Sequence, residues 1–133
     1  MDERICILLV DDDPDYIEYM SLWLKAKGYS VSGALSGEKA IQIIKEQTIH
    51  LVFLDIKMPI MDGIETLKRI REFNQKLPVI VVTAYADEEK FVRTQQLNVS
   101  GFFAKDKDLK ELLKMIDFTL KTYKRIWKKN KLC

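Results

Sequence analysis

The chain has 133 residues, enough for one domain with a hydrophobic core of its own. Its net charge of +2 is unevenly distributed, because residues 121–133 carry six cations and no acid, whereas residues 1–120 carry 16 cations and 20 acids. The acidic body argues against nucleic-acid binding by the domain, and the lack of a signal peptide or bilayer-spanning stretch predicts a cytoplasmic protein.

Five segments have the pattern of β-strands, and helical patterns separate them. Continuous apolar runs at 5–10, 51–54 and 78–83 are typical of strands buried on both faces, and residues 29–34 alternate as an edge strand does. A short segment at 101–105 completes the set. Apolar residues at intervals of three and four predict helices that begin near Pro14, Ser36, Ile64, Asp87 and Asp108.

Strands that alternate with helices predict an α/β fold with a parallel sheet covered by helices on both faces. Right-handed crossovers leave few arrangements of five such strands. We expect a flavodoxin-like, doubly wound sheet in the order 2-1-3-4-5, with the first and third strands adjacent.

Polar side chains stand at the carboxyl ends of four predicted strands. Asp11 and Asp12 follow the first strand, Asp55 follows the third, Thr83 ends the fourth and Lys105 ends the fifth. Ligands bind at this edge of open parallel sheets. Three carboxylates brought together there need a cation, and their oxygen atoms suit a hard divalent ion such as Mg²⁺. An aspartate beside a metal, an ammonium and a hydroxyl is arranged to attack phosphorus.

The same residues lie in four motifs that carry a family resemblance. The motifs at 10–13, 55–63, 82–84 and 101–105 resemble the signature of the response-regulator receiver domain, in the family's order and spacing. The resemblance covers roughly residues 4–122. It implies a domain of two-component or phosphorelay signalling that assists its own phosphorylation and dephosphorylation without being a dedicated enzyme.

The resemblance assigns roles to individual residues. Asp55 is the implied phosphoacceptor, and Thr83 and Lys105 are the implied contacts of the phosphoryl group. Small Ala84 leaves room for that group, and Phe102 falls at the position of the switch aromatic. The implied ligands of Mg²⁺, or of Mn²⁺, are Asp11, Asp12, Asp55 and the backbone carbonyl of Lys57.

The resemblance also implies partners. A histidine kinase or a histidine phosphotransfer protein would supply the phosphoryl group. The surface of the fourth helix, fifth strand and fifth helix would then switch between two states. An output domain, a partner protein or a homodimer would receive the signal, with no direct binding to nucleic acid or membrane.

The sequence departs from the family pattern beside Lys105. Asp106 stands where the family usually has a proline after a cis peptide bond, so we expect a trans bond and an altered loop. Lys107 becomes a rival ammonium for the site, although the spacing from Phe102 favours Lys105. Lys57 and Tyr85 are expected to flank the path of attacking water.

The C-terminal segment keeps helical spacing beyond the length that the domain needs. We assign residues 4–122 to the receiver and residues 123–133 to a basic helical extension or linker. The sequence leaves open a solvated helix end, a neck to an output domain, a dimer seam and a surface for an acidic partner.

Two other functions remain as alternatives. A pseudo-receiver would bind partners without phosphorylation, but such a module needs neither the acids nor Thr83 and Lys105. A haloacid-type aspartyl-phosphate hydrolase would use Asp11 as its nucleophile and Asp13 as a second acid, but Asp15 stands where that enzyme has Thr or Val.

Overall fold

The computed structural model describes residues 4–84 and 87–131, with side chains described as far as Thr122. Within these residues, five strands alternate with five helices. The strands are β1 (Cys6–Val10), β2 (Ser30–Ala34), β3 (Leu51–Leu54), β4 (Val79–Thr83) and β5 (Gly101–Ala104). The helices are α1 (Pro14–Ala26), α2 (Gly37–Glu46), α3 (Gly63–Phe73), α4 (Glu88–Gln95) and α5 (Leu109–Lys131).

The strands form one parallel sheet in the order β2-β1-β3-β4-β5, which confirms the predicted flavodoxin-like arrangement. In the register of the sheet, Val10 lies opposite Leu54 and Thr83 lies opposite Ala104. Each of these residues ends its strand. The residues that follow β1, β3 and β5 therefore reach the same edge, beside the end of β4.

Within the described residues, two large hydrophobic cores and a smaller cluster of Ile56, Ile64 and Val81 hold the sheet between its helices. One core lies under α1 and α5 and includes the fully buried Leu24, Ile80 and Ile116. The other lies under α2 and α3 and includes the fully buried Leu8 and Leu67. Because successive side chains of a strand point to opposite faces, the continuous apolar runs supply both cores at once.

Most of the predicted helix starts carry an N-cap. Asp13 caps α1, Ser36 caps α2 and Asp87 caps α4, each accepting a hydrogen bond from a backbone N–H of the first turn. At the start of α5, the Asp108 carboxylate accepts from the N–H of Lys110 at 2.9 Å. These caps accept hydrogen bonds from backbone N–H groups that would otherwise have no partner in the first turn of a helix.

Four of the observed strands are one residue shorter than predicted, and β3 has the predicted bounds. β4 begins at Val79 because Pro78 has no N–H, and Pro78 contributes only its carbonyl, which accepts from Val52 N–H at 3.0 Å. β5 ends at Ala104, so Lys105 lies just beyond the strand. No helix among the described residues has the length and apolar character needed to cross a membrane.

Arg71 of α3 ties the turn after α4 to the body of the domain. Its guanidinium donates to the backbone carbonyls of Leu97 at 2.9 Å and Asn98 at 3.0 Å, and also to Leu77 at 2.8 Å. Burial lowers the pKa of this arginine. The guanidinium thus joins α3 to two backbone segments, the turn after α4 and the loop before β4, and the C-terminal end of α4 is fixed by polar contacts.

Gly63 provides a test of how closely α3 packs on β3. A Cβ atom at this position would overlap the backbone carbonyl of Asp55 and lie 2.6 Å from the Cα atom of Ile56. Neither neighbour can move aside without displacing the end of β3. We predict that Gly63→Ala lowers the free energy of unfolding by about 2–3 kcal/mol in urea denaturation.

Gly101→Ala is the matched control. Its new Cβ would meet the sulfur of Met115, which is the movable end of a flexible side chain. We expect a loss below about 1.5 kcal/mol. Equal losses for the two variants would contradict the claim that backbone contact makes Gly63 necessary.

Candidate functional site

Backbone hydrogen bonds place the predicted site residues side by side. The N–H of Asp55 donates to the carbonyl of Val10 at 2.9 Å, and the N–H of Lys105 donates to the carbonyl of Thr83 at 2.9 Å. Both bonds continue the ladders of the sheet by one residue. The positions of these side chains are therefore set by the sheet.

Three carboxylates form a cluster at this edge. Asp11, Asp12 and Asp55 each offer one oxygen, and these three atoms all lie within 4.8 Å of one another. Asp11 and Asp55 are buried, with 3% and 6% of their surface exposed, whereas Asp12 is exposed. Such a set of oxygen atoms, open to water on one side, fits a hard divalent ion that keeps part of its hydration shell.

The ammonium of Lys105 lies between two of these carboxylates. Its Nζ is 2.6 Å from Oδ2 of Asp11 and 3.7 Å from Oδ2 of Asp55. Lys107, the rival predicted from the sequence, has an exposed side chain. The described residues contain no cis peptide bond, so the bond between Lys105 and Asp106 is trans, as expected. The geometry favours Lys105 as the ammonium of the site.

The carboxyl group of Asp55 has a raised pKa. Burial is the main cause and the charge of Asp11 is the second. The ammonium of Lys105 and hydrogen bonds from the Thr83 side chain and the Lys57 backbone act in the opposite direction. The Lys57 N–H lies 3.4 Å from Oδ1 of Asp55. The ionised form of Asp55 therefore depends on the positive charge and the donors around it.

Three of the remaining predicted residues, Thr83, Ala84 and Phe102, lie on β4, just after it and on β5. Thr83 is fully buried, and Ala84 is exposed in the bend that follows it. Phe102 is partly buried, and its ring packs edge-on against the ring of Phe91 from α4, with centroids 5.4 Å apart. Tyr85 lies outside the described residues, so its predicted position beside the path of water remains a prediction.

The loop from β3 to α3 begins at Asp55 and returns to its backbone at Gly63. Gly63 donates its N–H to the carbonyl of Ile56 at 2.7 Å, which turns the chain back on itself. Met61 N–H donates to the Pro59 carbonyl at 2.8 Å, and Ile60 between them has φ 67°. A branched residue rarely adopts this left-handed conformation, so the turn stores backbone strain.

Tyr16 is a site residue that sequence reasoning missed. It belongs to the first turn of α1, and the Nζ of Lys105 lies 4.1 Å from the centroid of its ring. The available signal was an aromatic residue close behind Asp12 at the start of a helix that begins at the same edge. That signal is weak, because an aromatic at such a position usually packs into the core.

A comparison with family profiles identifies one family. The profile of the response regulator receiver domain matches residues 7–117, which is most of the chain. The chain is 36% identical over 110 residues to the transcriptional regulatory protein ZraR of Klebsiella oxytoca, covering 83% of this chain and 25% of that protein. It is 34% identical over 112 residues to sporulation initiation phosphotransferase F of Bacillus subtilis, covering 84% of this chain and 89% of that protein.

The chain thus spans about a quarter of the length of the curated transcriptional regulators that it matches. Among solved structures, it is similar to the response regulator protein TrrA of Thermotoga maritima in complex with Mg²⁺ and BeF, with a TM-score of 0.79 and 28% identity. That similarity covers 86% of this chain and 98% of TrrA. With the strand order and the acidic cluster already described, these matches show that the chain belongs to the response regulator receiver domain family.

Proposed function

We propose that this domain accepts a phosphoryl group on Asp55 from the phosphohistidine of a histidine kinase or a histidine phosphotransfer protein. The proposal rests on the contacts of Asp55, a buried carboxylate 3.7 Å from the ammonium of Lys105 and clustered with Asp11 and Asp12. A receiver domain of two-component signalling is not a dedicated enzyme. Its own residues nevertheless supply much of the catalysis in this proposal.

Transfer requires Asp55 to act as a nucleophile. One carboxylate oxygen forms the new bond to phosphorus while the bond from phosphorus to the donor imidazole nitrogen breaks, and the electron pair of that bond leaves with the imidazole. The N–H of Lys57, 3.4 Å from Oδ1, orients the carboxylate. Lys105 binds a phosphoryl oxygen with the ammonium that lies between Asp11 and Asp55.

The acidic cluster is the proposed metal site. Asp11, Asp12 and Asp55 would hold Mg²⁺ or Mn²⁺, with the backbone carbonyl of Lys57 as a further ligand. When bound, the ion supplies positive charge that offsets the carboxylates and the incoming phosphoryl group. Exposed Asp12 lies on the side from which an ion arrives.

The response to phosphorylation is proposed to pass through Thr83 and Phe102. The Thr83 hydroxyl turns to the phosphoryl group, for which Ala84 leaves room, and the ring of Phe102 moves into the space that Thr83 vacates. Phe102 has no hydroxyl with which to bind a partner, and its half-buried ring is held by packing against Phe91 and against the cluster of Ile56, Ile64 and Val81. The surface of α4, β5 and α5 is then biased between two states.

The relatives support this proposal by their names. ZraR is a transcriptional regulatory protein, phosphotransferase F transfers phosphoryl groups by name, and TrrA was crystallised with Mg²⁺ and BeF. We propose residues 4–122 as the receiver and 123–133 as a basic extension towards an output domain, a partner protein or a second copy. The proposal places the domain in the cytoplasm with its kinase and gives it no contact of its own with nucleic acid or membrane.

Phosphorylation of Asp55 can be measured as a gain in mass. Incubation with Mg²⁺ and phosphoramidate should add the mass of one phosphoryl group to the wild-type protein, measured by intact mass spectrometry. Asp55→Asn should remove the gain because the amide is not a nucleophile, and chelation of Mg²⁺ should also remove it. Asp15→Asn, at an exposed acid of α1, is the matched control and should be labelled normally.

The alternatives predict other outcomes of this experiment. A wild-type protein that gains no mass would favour the pseudo-receiver. Peptide mapping of the label to Asp11 would favour the haloacid-type hydrolase.

Substitution of the two neighbouring lysines separates their roles. Lys105→Ala should slow phosphorylation roughly tenfold or more, because it removes the cation nearest to Asp55. Lys107→Ala should stay within about twofold, because its exposed charge is screened by solvent. The measurement is the initial rate of mass gain, and a larger loss for Lys107→Ala would reverse the assignment.

Stability should respond to both metal and charge. Mg²⁺ at ten times its dissociation constant should raise the free energy of unfolding by about 1.4 kcal/mol, and Asp12→Asn should lose most of this gain.

Without metal at pH 7, Asp55→Asn should be more stable than wild type by about 1 kcal/mol. Because the fold raises the pKa of Asp55, this advantage should grow as the pH rises above about 4.

Urea denaturation at several pH values would measure these effects. Exposed Asp106, replaced by Asn, is the control for the loss of one negative charge. An Asp55→Asn variant that is less stable than wild type in metal-free buffer would show that repulsion does not dominate the site.

A further inference from the structure

Tyr16 covers the ammonium of Lys105. The Nζ of Lys105 lies 4.1 Å from the centroid of the Tyr16 ring, within the range of a cation–π contact. The same Nζ lies 2.6 Å from Oδ2 of Asp11 and 3.7 Å from Oδ2 of Asp55. The ammonium therefore has two carboxylates and one aromatic face as its neighbours.

The ring of Tyr16 is held in this place by its own packing. Tyr16 is partly buried against the core under α1 and α5, and its ring lies 6.4 Å from that of Tyr19 one turn along the helix. Burial, and next the charge of Asp11, raise its pKa, so the phenol stays neutral. A neutral ring face attracts a cation, and the attraction strengthens where water is excluded.

This arrangement restricts the movement of Lys105. A lysine side chain has a flexible stem, and an ammonium without a cover would spread over many positions in water. With the ring over it, the ammonium keeps the positions near Asp11 and Asp55. A phosphoryl group on Asp55 would need the ammonium in that region.

We propose that Tyr16 is a positioning residue for Lys105. The aromatic face of Tyr16 holds the Lys105 ammonium beside Asp55 and thereby strengthens binding of a phosphoryl group. This inference rests on the proposed function, because it requires Lys105 to contact that group. Tyr16 acts through the lysine and does not touch the phosphoryl group. The property that matters is the ring face, so phenylalanine should replace tyrosine and an aliphatic residue should not.

The test uses beryllofluoride as a probe for the phosphoryl group, titrated in saturating Mg²⁺. Tyr16→Leu should weaken beryllofluoride binding roughly fivefold, and Tyr16→Phe should stay within about twofold of wild type. Tyr29→Leu is the matched control, because Tyr29 packs against the same core but lies at the opposite edge of the sheet, just before β2. It should bind the probe as wild type does.

Two further measurements separate positioning from a general loss of structure. The NMR signals of the Lys105 Cε protons should be shifted upfield by the ring in wild type and in Tyr16→Phe, and lose that shift in Tyr16→Leu. In a double-mutant cycle, Tyr16→Leu should have no further effect on the probe once Lys105→Ala is present. These readouts would not follow from a damaged core.

Three results would each overturn the positioning role of Tyr16. It is overturned if Tyr16→Leu binds beryllofluoride as tightly as wild type, if Tyr16→Phe loses as much as Tyr16→Leu, or if the two losses add in the cycle. A Tyr16→Leu protein that does not fold would leave the decision to Tyr16→Phe and to the wild-type NMR shift. Failure of the wild-type protein to bind the probe with Mg²⁺ would instead overturn the proposed function, and this inference with it.

Discussion

The crowding of negative charge at the carboxyl edge of the sheet is the constraint on which the site depends. Oxygen atoms of Asp11, Asp12 and Asp55 lie within 4.8 Å of one another, and two of these residues are buried. Two like charges at roughly 4–5 Å repel by about 3–4 kcal/mol at an effective dielectric constant near 20. Because a small domain is stable by only about 5–15 kcal/mol, such a cluster persists only with positive charge beside it. Lys105 supplies one charge, and a bound divalent ion would supply the rest.

The fold prevents the carboxylates from relieving this repulsion by moving apart. Asp55 is tied to β1 through the carbonyl of Val10, and its own carbonyl is covered by Gly63 of α3. The strands on either side are buried by helices on both faces, so a shift of the backbone would disturb both cores. Side chains and bound ions are the parts that can adjust. A rigid sheet that holds a strained group of charges is thus well suited to respond to one added phosphoryl group.

Much of this arrangement follows from the sequence by simple rules, and the exceptions have physical reasons. Apolar runs specify strands buried on both faces, and strand order then places Asp11, Asp55 and Lys105 at one edge. The rules do not say which carboxylate Lys105 contacts most closely. The structure places its ammonium closer to Asp11 than to Asp55. The position of a long, flexible side chain depends on its neighbours in three dimensions, which the sequence does not specify. The contact of Tyr16 with Lys105 was missed for the same reason. The left-handed conformation of Ile60 was missed because it contradicts local preference.

The two ends of α4 are held by different forces, and this difference bears on how a signal could leave the site. The turn after its C-terminal end is fixed by Arg71, whose guanidinium binds the carbonyls of Leu97 and Asn98. Thr94, the penultimate residue of α4, is its one fully buried side chain within the described residues. Towards the N-terminal end, the contact with β5 is the packing of Phe91 on Phe102. Hydrogen bonds to a guanidinium are directional, whereas two rings can slide or separate at lower cost. The first half of α4 is therefore held by less directional contacts than the turn that follows the helix.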